Sequence, residues 1–283
     1  MLIAGCGYVG GSLGTLLARN GVDAWGLRRD PSKVPATVHP LAADLVTGRG
    51  LENLPDDVPD VVFCPTPAGP AAEQYRDVFV RGLDRLLGAL ARRGTALRRL
   101  VFVSSTAVWG RDDGAWVDEA TPPDPPDPQA AVLLEGEALA RSATPTACIV
   151  RMGGIYGPGR TRLLELVRTG RARRPSRPTW TNRIHRDDCA GALRHLLDLP
   201  AAASVYLGVD HEPAELGAVQ QWIAEELGVP VPAAGDGAGS TSPGRRHRTN
   251  KRCRNDLLVG SGYDFVYRTY REGYRQVLAQ QNP

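Results

Sequence analysis

The chain has 283 residues, 42% of them hydrophobic and 23% charged, with a formal net charge of +3. That composition supports a sizeable core, excludes a disordered chain, and is too weakly basic to argue for nucleic acid. Cys6, Cys64, Cys148, Cys189 and Cys253 are scattered with no C-x-x-C pair, so neither a disulfide framework nor a zinc site is expected.

In chain order, short apolar runs alternate with helical patterns. Strands are predicted at Leu2–Gly5, Val22–Leu27, Val38–Ala43, Val61–Cys64, Leu100–Val103 and Ala147–Arg151. Between them, Val9–Asn20, Ala72–Arg93 and Ala130–Ser142 carry apolar residues at helical spacing. Such alternation predicts an α/β, Rossmann-type doubly wound parallel sheet with both faces covered. The Pro- and Asp-rich stretch Asp112–Pro128 reads as an exposed loop, and Pro230–Pro243 as a linker or flexible loop. Helices are expected at Asp188–Leu199, Ala214–Leu227 and about Tyr270–Gln281, with one more strand at Val205–Val209. A cofactor domain over 1–155 and a smaller substrate lobe over 156–283 follow, interleaved through that late strand. No basic-then-apolar leader precedes the first strand and no apolar run approaches the length of a membrane span, so a soluble, cytoplasmic protein is expected.

The first strand runs straight into Gly5-Cys6-Gly7-Tyr8-Val9-Gly10, which opens a helix. Glycines there permit a tight turn, let backbone amides approach a pyrophosphate and allow close strand–helix packing, while the helix N-terminus favours the anion. In this context the pattern predicts a bound dinucleotide. At the end of the second strand a carboxylate would select NAD through the ribose hydroxyl; the sequence there reads Gly26-Leu27-Arg28-Arg29-Asp30. Two guanidiniums suit a 2′-phosphate, which points to NADP, while Asp30 keeps NAD open.

From here the chain resembles an atypical extended short-chain dehydrogenase/reductase of the NAD-dependent epimerase/dehydratase superfamily. The matching pieces are the glycine loop, Ala43-Asp44-Leu45, and the run from Val103 through Ser104, Ser105 and Thr106 to Trp109-Gly110. Arg151-Met152-Gly153-Gly154-Ile155-Tyr156-Gly157 and Asn182-Arg183-Ile184-His185-Arg186-Asp187-Asp188 complete the match. The resemblance implies that Asp44 and Leu45 contact adenine, that Pro65, Thr66 and Pro67 line the ribose side, and that Ser104 lies against the cofactor. Thr106, Arg183, Lys251 and Arg252 are implied for a small-molecule substrate, with an anion as one option. Pairing of two long helices into a homodimer, through the face around Ala72–Arg93, is common in the fold.

Members of this family usually act through a Tyr-x-x-x-Lys pair, and this chain has none: no tyrosine is followed by Lys four positions later. Aligning Glu137 with the acidic residue of that helix puts Gln129 at the Tyr place and Leu133 at the Lys place. Ser105 stands at the family's serine. Candidate substitute acids are Glu135, Tyr156 and His185, of which His185 titrates in the useful range. Asp187 and Asp188 read as caps of the following helix. An Arg-rich stretch from Arg160 to Arg186 reads as a solvated basic surface, and the resemblance implies that one or two of its residues clamp an anionic substrate. The expectation is an NADP-dependent reductase of a small imine or activated C=C or C=O compound. A non-catalytic NADP-binding sensor and a sugar-nucleotide epimerase or dehydratase stand as alternatives.

Overall fold

The computed structural model describes residues 1–235 and 249–281. Seven strands form one parallel sheet: β1 (Leu2–Ala4), β2 (Trp25–Arg28), β3 (His39–Ala42), β4 (Asp60–Phe63), β5 (Arg99–Ser105), β7 (Ala147–Met152) and β11 (Val205–Gly208). Short strands lie between and after them: β6 (Trp116–Val117), β8 (Gly154–Tyr156), β9 (Trp180–Thr181), β10 (Arg183–His185), β12 (Ala214–Glu215) and β13 (Arg252–Cys253). The sheet order is β11-β7-β5-β4-β1-β2-β3, so the direction of winding reverses between β1 and β4. A crevice opens there, beyond the carboxyl ends of the strands, where open α/β sheets bind ligands.

The inner strands are buried on both faces, which is why they read as unbroken apolar runs. One face carries Leu83, Leu86 and Leu90 of α3 (Leu83–Arg92) with Leu133 and Ala140 of α4 (Pro128–Ala143). On the other lie Val9, Leu13 and Leu17 of α1 (Tyr8–Arg19) with Cys189, Leu193 and Leu196 of α6 (Arg186–Asp198). The helix expected over Ala72–Arg93 is α2 (Ala72–Arg76) and α3, joined by a π-helical turn at Asp77–Gly82. Such a wide turn shifts the helix face by inserting an extra residue into the ladder, and here Asp77 and Val78 reach the crevice.

A third apolar cluster makes the smaller lobe, from α5 (Arg162–Arg168), α7 (Leu216–Leu227) and α9 (Tyr270–Gln281). The expected lobe over 156–283 is interleaved with the core, because α6 packs on one face of the main sheet and β11 joins its edge. Part of the expected Pro230–Pro243 linker lies outside the described residues. Within the expected 112–128 loop, β6 pairs in parallel with β13, which ties this loop to the late segment holding Lys251. No helix among the described residues is long and apolar enough to cross a membrane.

Candidate cofactor groove and substrate cavity

The glycine loop is pinned from both sides. Gly5 and Cys6 donate their amides to Leu27 O of β2 at 3.2 and 3.0 Å, and Cys64 N reaches Ala4 O at 2.9 Å. Gly5 has φ +101°, and a Cβ on it would stand 2.5 Å from Pro65 N. At Gly10 a Cβ would come within 2.6 Å of Gly5 O and 2.8 Å of Ile3 Cγ2, so α1 can approach β1 only without one. A Cβ at Gly7, by contrast, would meet nothing nearer than Gly5 O at 3.9 Å. The loop therefore leaves an open space over the first turn of α1, whose cap, Gly7, supplies no side-chain acceptor. That arrangement fits an anion held by helix N-terminal amides.

The groove above it encloses about 550 Å³ and is lined by Gly5, Gly7, Tyr8, Arg28, Arg29, Asp44, Leu45, Pro65 and Thr66, among others. Pro67 stands outside that lining, and Val9 packs into the core beneath α1, leaving only its backbone for the loop. Arg28 closes β2 and donates to Cys6 O at 3.2 Å, so it bridges the strand end to the loop. Asp30 is turned to other work: it accepts from Ser32 N at 3.2 Å and Ser32 Oγ at 2.6 Å, and pairs with Lys33 at 3.1 Å. Those contacts, led by the Ser32 hydroxyl, hold its pKa below the ordinary value. Asp44 Oδ1 accepts from Val46 N at 2.9 Å, fixing the turn that presents Leu45. Sequence reasoning missed Gln74, Asp77 and Val78, which come from α2 and the π-helical turn and carry no local signature.

A second, larger cavity of about 830 Å³ is lined by Thr106, Tyr156, Arg160, Arg162, Arg183 and Lys251, among others. Tyr8 stands at the glycine loop with the guanidinium of Arg160 4.1 Å from its ring centroid and that of Arg186 at 5.4 Å. Ser105 caps the short turn Thr106–Val108 by accepting from Ala107 N at 3.1 Å. Gln129, expected at the family's tyrosine position, donates to Pro70 O at 2.7 Å, and Leu133 is buried.

Several expected roles are corrected by these positions. Ser104 does not face the cofactor groove; strand alternation turns it the other way, where it donates to the buried Glu137 at 2.7 Å. Glu135 forms a two-point ion pair with Arg76 on the surface, which lowers its carboxyl pKa and leaves it a poor acid. Tyr156 lines the cavity with its ring, but its hydroxyl is aimed at α9: a Cβ at Gly273 would lie 2.0 Å from that oxygen. Burial drives its pKa far up, away from proton exchange near neutrality. His185 is fully buried behind the cavity wall and caps α6, its Nδ1 accepting from Asp187 N at 3.2 Å. Burial lowers its pKa, so it is held neutral.

His185 thus takes the cap role expected of Asp187 and Asp188; Asp187 pairs instead with Arg186. Asp188 does other work. It is buried and accepts from Tyr263 Oη at 2.9 Å, Val266 N at 2.8 Å and Tyr267 N at 3.0 Å, clasping the segment before α9 onto the core. Arg252 points away from the cavity, donating to Gly114 O at 2.8 Å between the rings of Trp116 and Trp180. Of the Arg-rich stretch, Arg168 and Arg177 pair with Glu165 and Asp112, and Arg183 lies over Tyr270 at 5.7 Å. Glu137 and Arg151 form a buried ion pair that sequence reasoning did not assign; its signal was an arginine inside the apolar run Ala147–Met152. No group of His, Cys, Asp and Glu among the described residues could hold a metal ion.

Comparison with known proteins agrees with this geometry. The family model for the NAD dependent epimerase/dehydratase family matches residues 1–205. A solved structure from Methylobacillus flagellatus, described provisionally as an NAD-dependent epimerase/dehydratase, is 34% identical, with a TM-score of 0.82 over 100% of this chain and 98% of that one. A conserved protein of unknown function from Silicibacter pomeroyi is 29% identical, with a TM-score of 0.79 over 99% of this chain and 98% of that one. At 20% identity, the UDP-glucose 4-epimerase of Thermus thermophilus, solved with NAD, shares the fold with a TM-score of 0.80 over 98% of this chain and 97% of its own. No curated protein sequence matches.

Proposed function

Since the chain belongs to the NAD-dependent epimerase/dehydratase family, we propose that it is an NADP-dependent oxidoreductase that reduces a small metabolite. The observation that carries the cofactor choice is the end of β2, where Arg28 and Arg29 line the groove while Asp30 is engaged with Ser32 and Lys33. A carboxylate free to bind a ribose diol is missing from that wall, and a guanidinium suits a phosphate. When bound, the reduced dinucleotide supplies a hydride. The chain supplies the rest: glycine-loop amides for the pyrophosphate, Asp44 and Leu45 for the adenine end, and Ser105 and Thr106 at the junction with the substrate cavity.

Epimerase chemistry is disfavoured. Its oxidation step needs a base beside the nicotinamide, and Gln129 and Leu133 cannot provide one. Reduction asks for a proton donor only, and a donor from another element serves.

Fluorescence titration with NADPH and NADH tests the reading. Wild-type protein is expected to favour NADPH by at least about tenfold, because charge-assisted hydrogen bonds contribute about 1.5–3 kcal/mol. Arg28→Asp should reverse that preference. Equal affinity for both nucleotides, unchanged in the variant, would refute the assignment.

A further inference from the structure

Only Lys33 and Lys251 supply lysine amines in this chain. Lys33 is exposed and paired with Asp30. Lys251 is 3% exposed, and no carboxylate among the described residues pairs with it. Its Nζ donates to Trp109 O at 3.0 Å and to the Thr249 hydroxyl. An ammonium has three N–H bonds, so one is without an acceptor among the described residues, and the residue lines the substrate cavity together with Thr106 and Ala107.

The position of Lys251 is built. Asn250 N bonds Arg111 O at 2.8 Å, Asn182 Nδ2 reaches Lys251 O at 3.0 Å, and Asn182 Oδ1 receives Cys253 N at 2.7 Å. Two separate segments, at Trp109–Arg111 and at Asn182, thus hold this residue next to the turn that follows Ser105. Burying a cation against two neutral oxygens is costly, and a methionine would fill the same space without that cost. Burial also pulls the ammonium below the usual lysine pKa, opposed by the nearby Cys253 and Asp124.

We propose that Lys251 is the proton donor of the substrate cavity and that the substrate is a small anionic carbonyl compound. The proposal rests on the oxidoreductase reading above. Hydride addition to the carbonyl carbon, from a reduced nicotinamide dinucleotide, breaks the C=O π bond onto oxygen. That oxygen takes a proton from Lys251, whose N–H electron pair stays on nitrogen, and the neutral amine regains a proton from water. Carbonyl, hydride and proton together give an alcohol. An iminium substrate would bring a second positive charge beside a buried ammonium, so the carbonyl class is selected over the imine. Arg160 and Arg162, with no carboxylate partner among the described residues, line the same cavity and supply the attraction for an anion.

The test uses the full chain with glyoxylate and cyanoborohydride, which convert an amine that a carbonyl can reach into a carboxymethyl amine. Peptide mass spectrometry reads Lys33 and Lys251 separately, with Lys251→Met as the control. In the native protein Lys251 is expected to be modified, with a rate that levels off below pH 10.5, the ordinary lysine value. Modification of Lys251 only after denaturation would show that no carbonyl reaches Nζ, and the proposal would fall. In a panel of oxo acids with NADPH, kcat should fall as pH rises through the Lys251 pKa. Lys251→Arg, which keeps the charge but cannot release a proton, should lower kcat by about 100-fold or more and flatten that profile. Full activity of Lys251→Arg would also overturn the role. Absence of NADPH binding by the wild type would instead sink the oxidoreductase reading, whatever the labelling shows.

Discussion

Replacing Glu137 by Gln removes the counter-ion of a guanidinium that has nowhere else to go. Glu137 is fully buried and accepts from Ser104 Oγ at 2.7 Å, from Arg151 Nε at 3.0 Å and from Arg151 Nη2 at 2.7 Å. Arg151 is itself 4% exposed, its guanidinium 4.7 Å from the Trp109 ring. In the variant one carboxylate oxygen becomes an amide nitrogen, which sets donor against donor and strands a buried charge. Breaking a buried pair from one side costs about 3–5 kcal/mol. Unfolding entropy of about 2.1 cal/mol/K per residue gives about 0.6 kcal/mol/K for a chain of this length, so the midpoint should fall by about 5–8 °C. Circular dichroism melting measures it. Glu137→Leu combined with Arg151→Met should recover most of the loss, because a matched apolar pair leaves no charge behind. A single variant melting within about 1 °C of wild type would refute the reasoning. The same network anchors Ser104 and thereby fixes which way the neighbouring Ser105 faces.

Gly10→Ala places a methyl 2.6 Å from Gly5 O, and the overpacking, about 1–3 kcal/mol, should be relieved by displacing the loop. NADPH affinity should drop by about tenfold in a fluorescence titration, and an unchanged dissociation constant would remove the case for a tight loop. Tyr156→Phe deletes a buried hydroxyl that has no partner among the described residues, so urea unfolding should show a change within about 1 kcal/mol of zero and turnover should persist. Loss of turnover with stability intact would put that phenol at the substrate after all. Burial raises the Asp210 carboxyl well above its ordinary 3.8, and its Oδ2 has no partner among the described residues. The folded state therefore binds more protons than the unfolded one from about pH 4 upward, and stability falls as pH rises through that window. Asp210→Asn should gain more in melting temperature at pH 8 than at pH 5; equal gains would refute the sign.

Much of the scaffold was legible because buried parallel strands are unbroken apolar runs and their helices keep a 3.6-residue period. Leu2–Ala4, Asp60–Phe63 and Ala147–Met152 fall where the runs predicted them, and Tyr8–Arg19 begins at the glycine loop. The loop is likewise a local signal, since its glycines answer constraints from chain neighbours and from one adjacent strand. At Arg28-Arg29-Asp30 the residue types were readable but the geometry was not, because nothing local said that Asp30 would close the turn with Ser32. The absence of a Tyr-x-x-x-Lys pair needed no structure, since it is a statement about residue identity.

What folding alone decided is where polar side chains point. Ser104 and Ser105 are neighbours in sequence, yet the pleat sends the first into a buried ion pair and leaves the second to cap the turn beside the substrate cavity. His185 and Tyr156 looked like chemistry from their types, and packing against the segment from Tyr263 to Tyr274 turned them into structure, as it turned Asp188 from an expected cap into a clasp. Lys251 and Arg252 went opposite ways for the same reason as the two serines, one into the cavity and one between two indoles. Identity and periodicity are properties of the chain, whereas burial and direction are set by contacts between residues far apart along it.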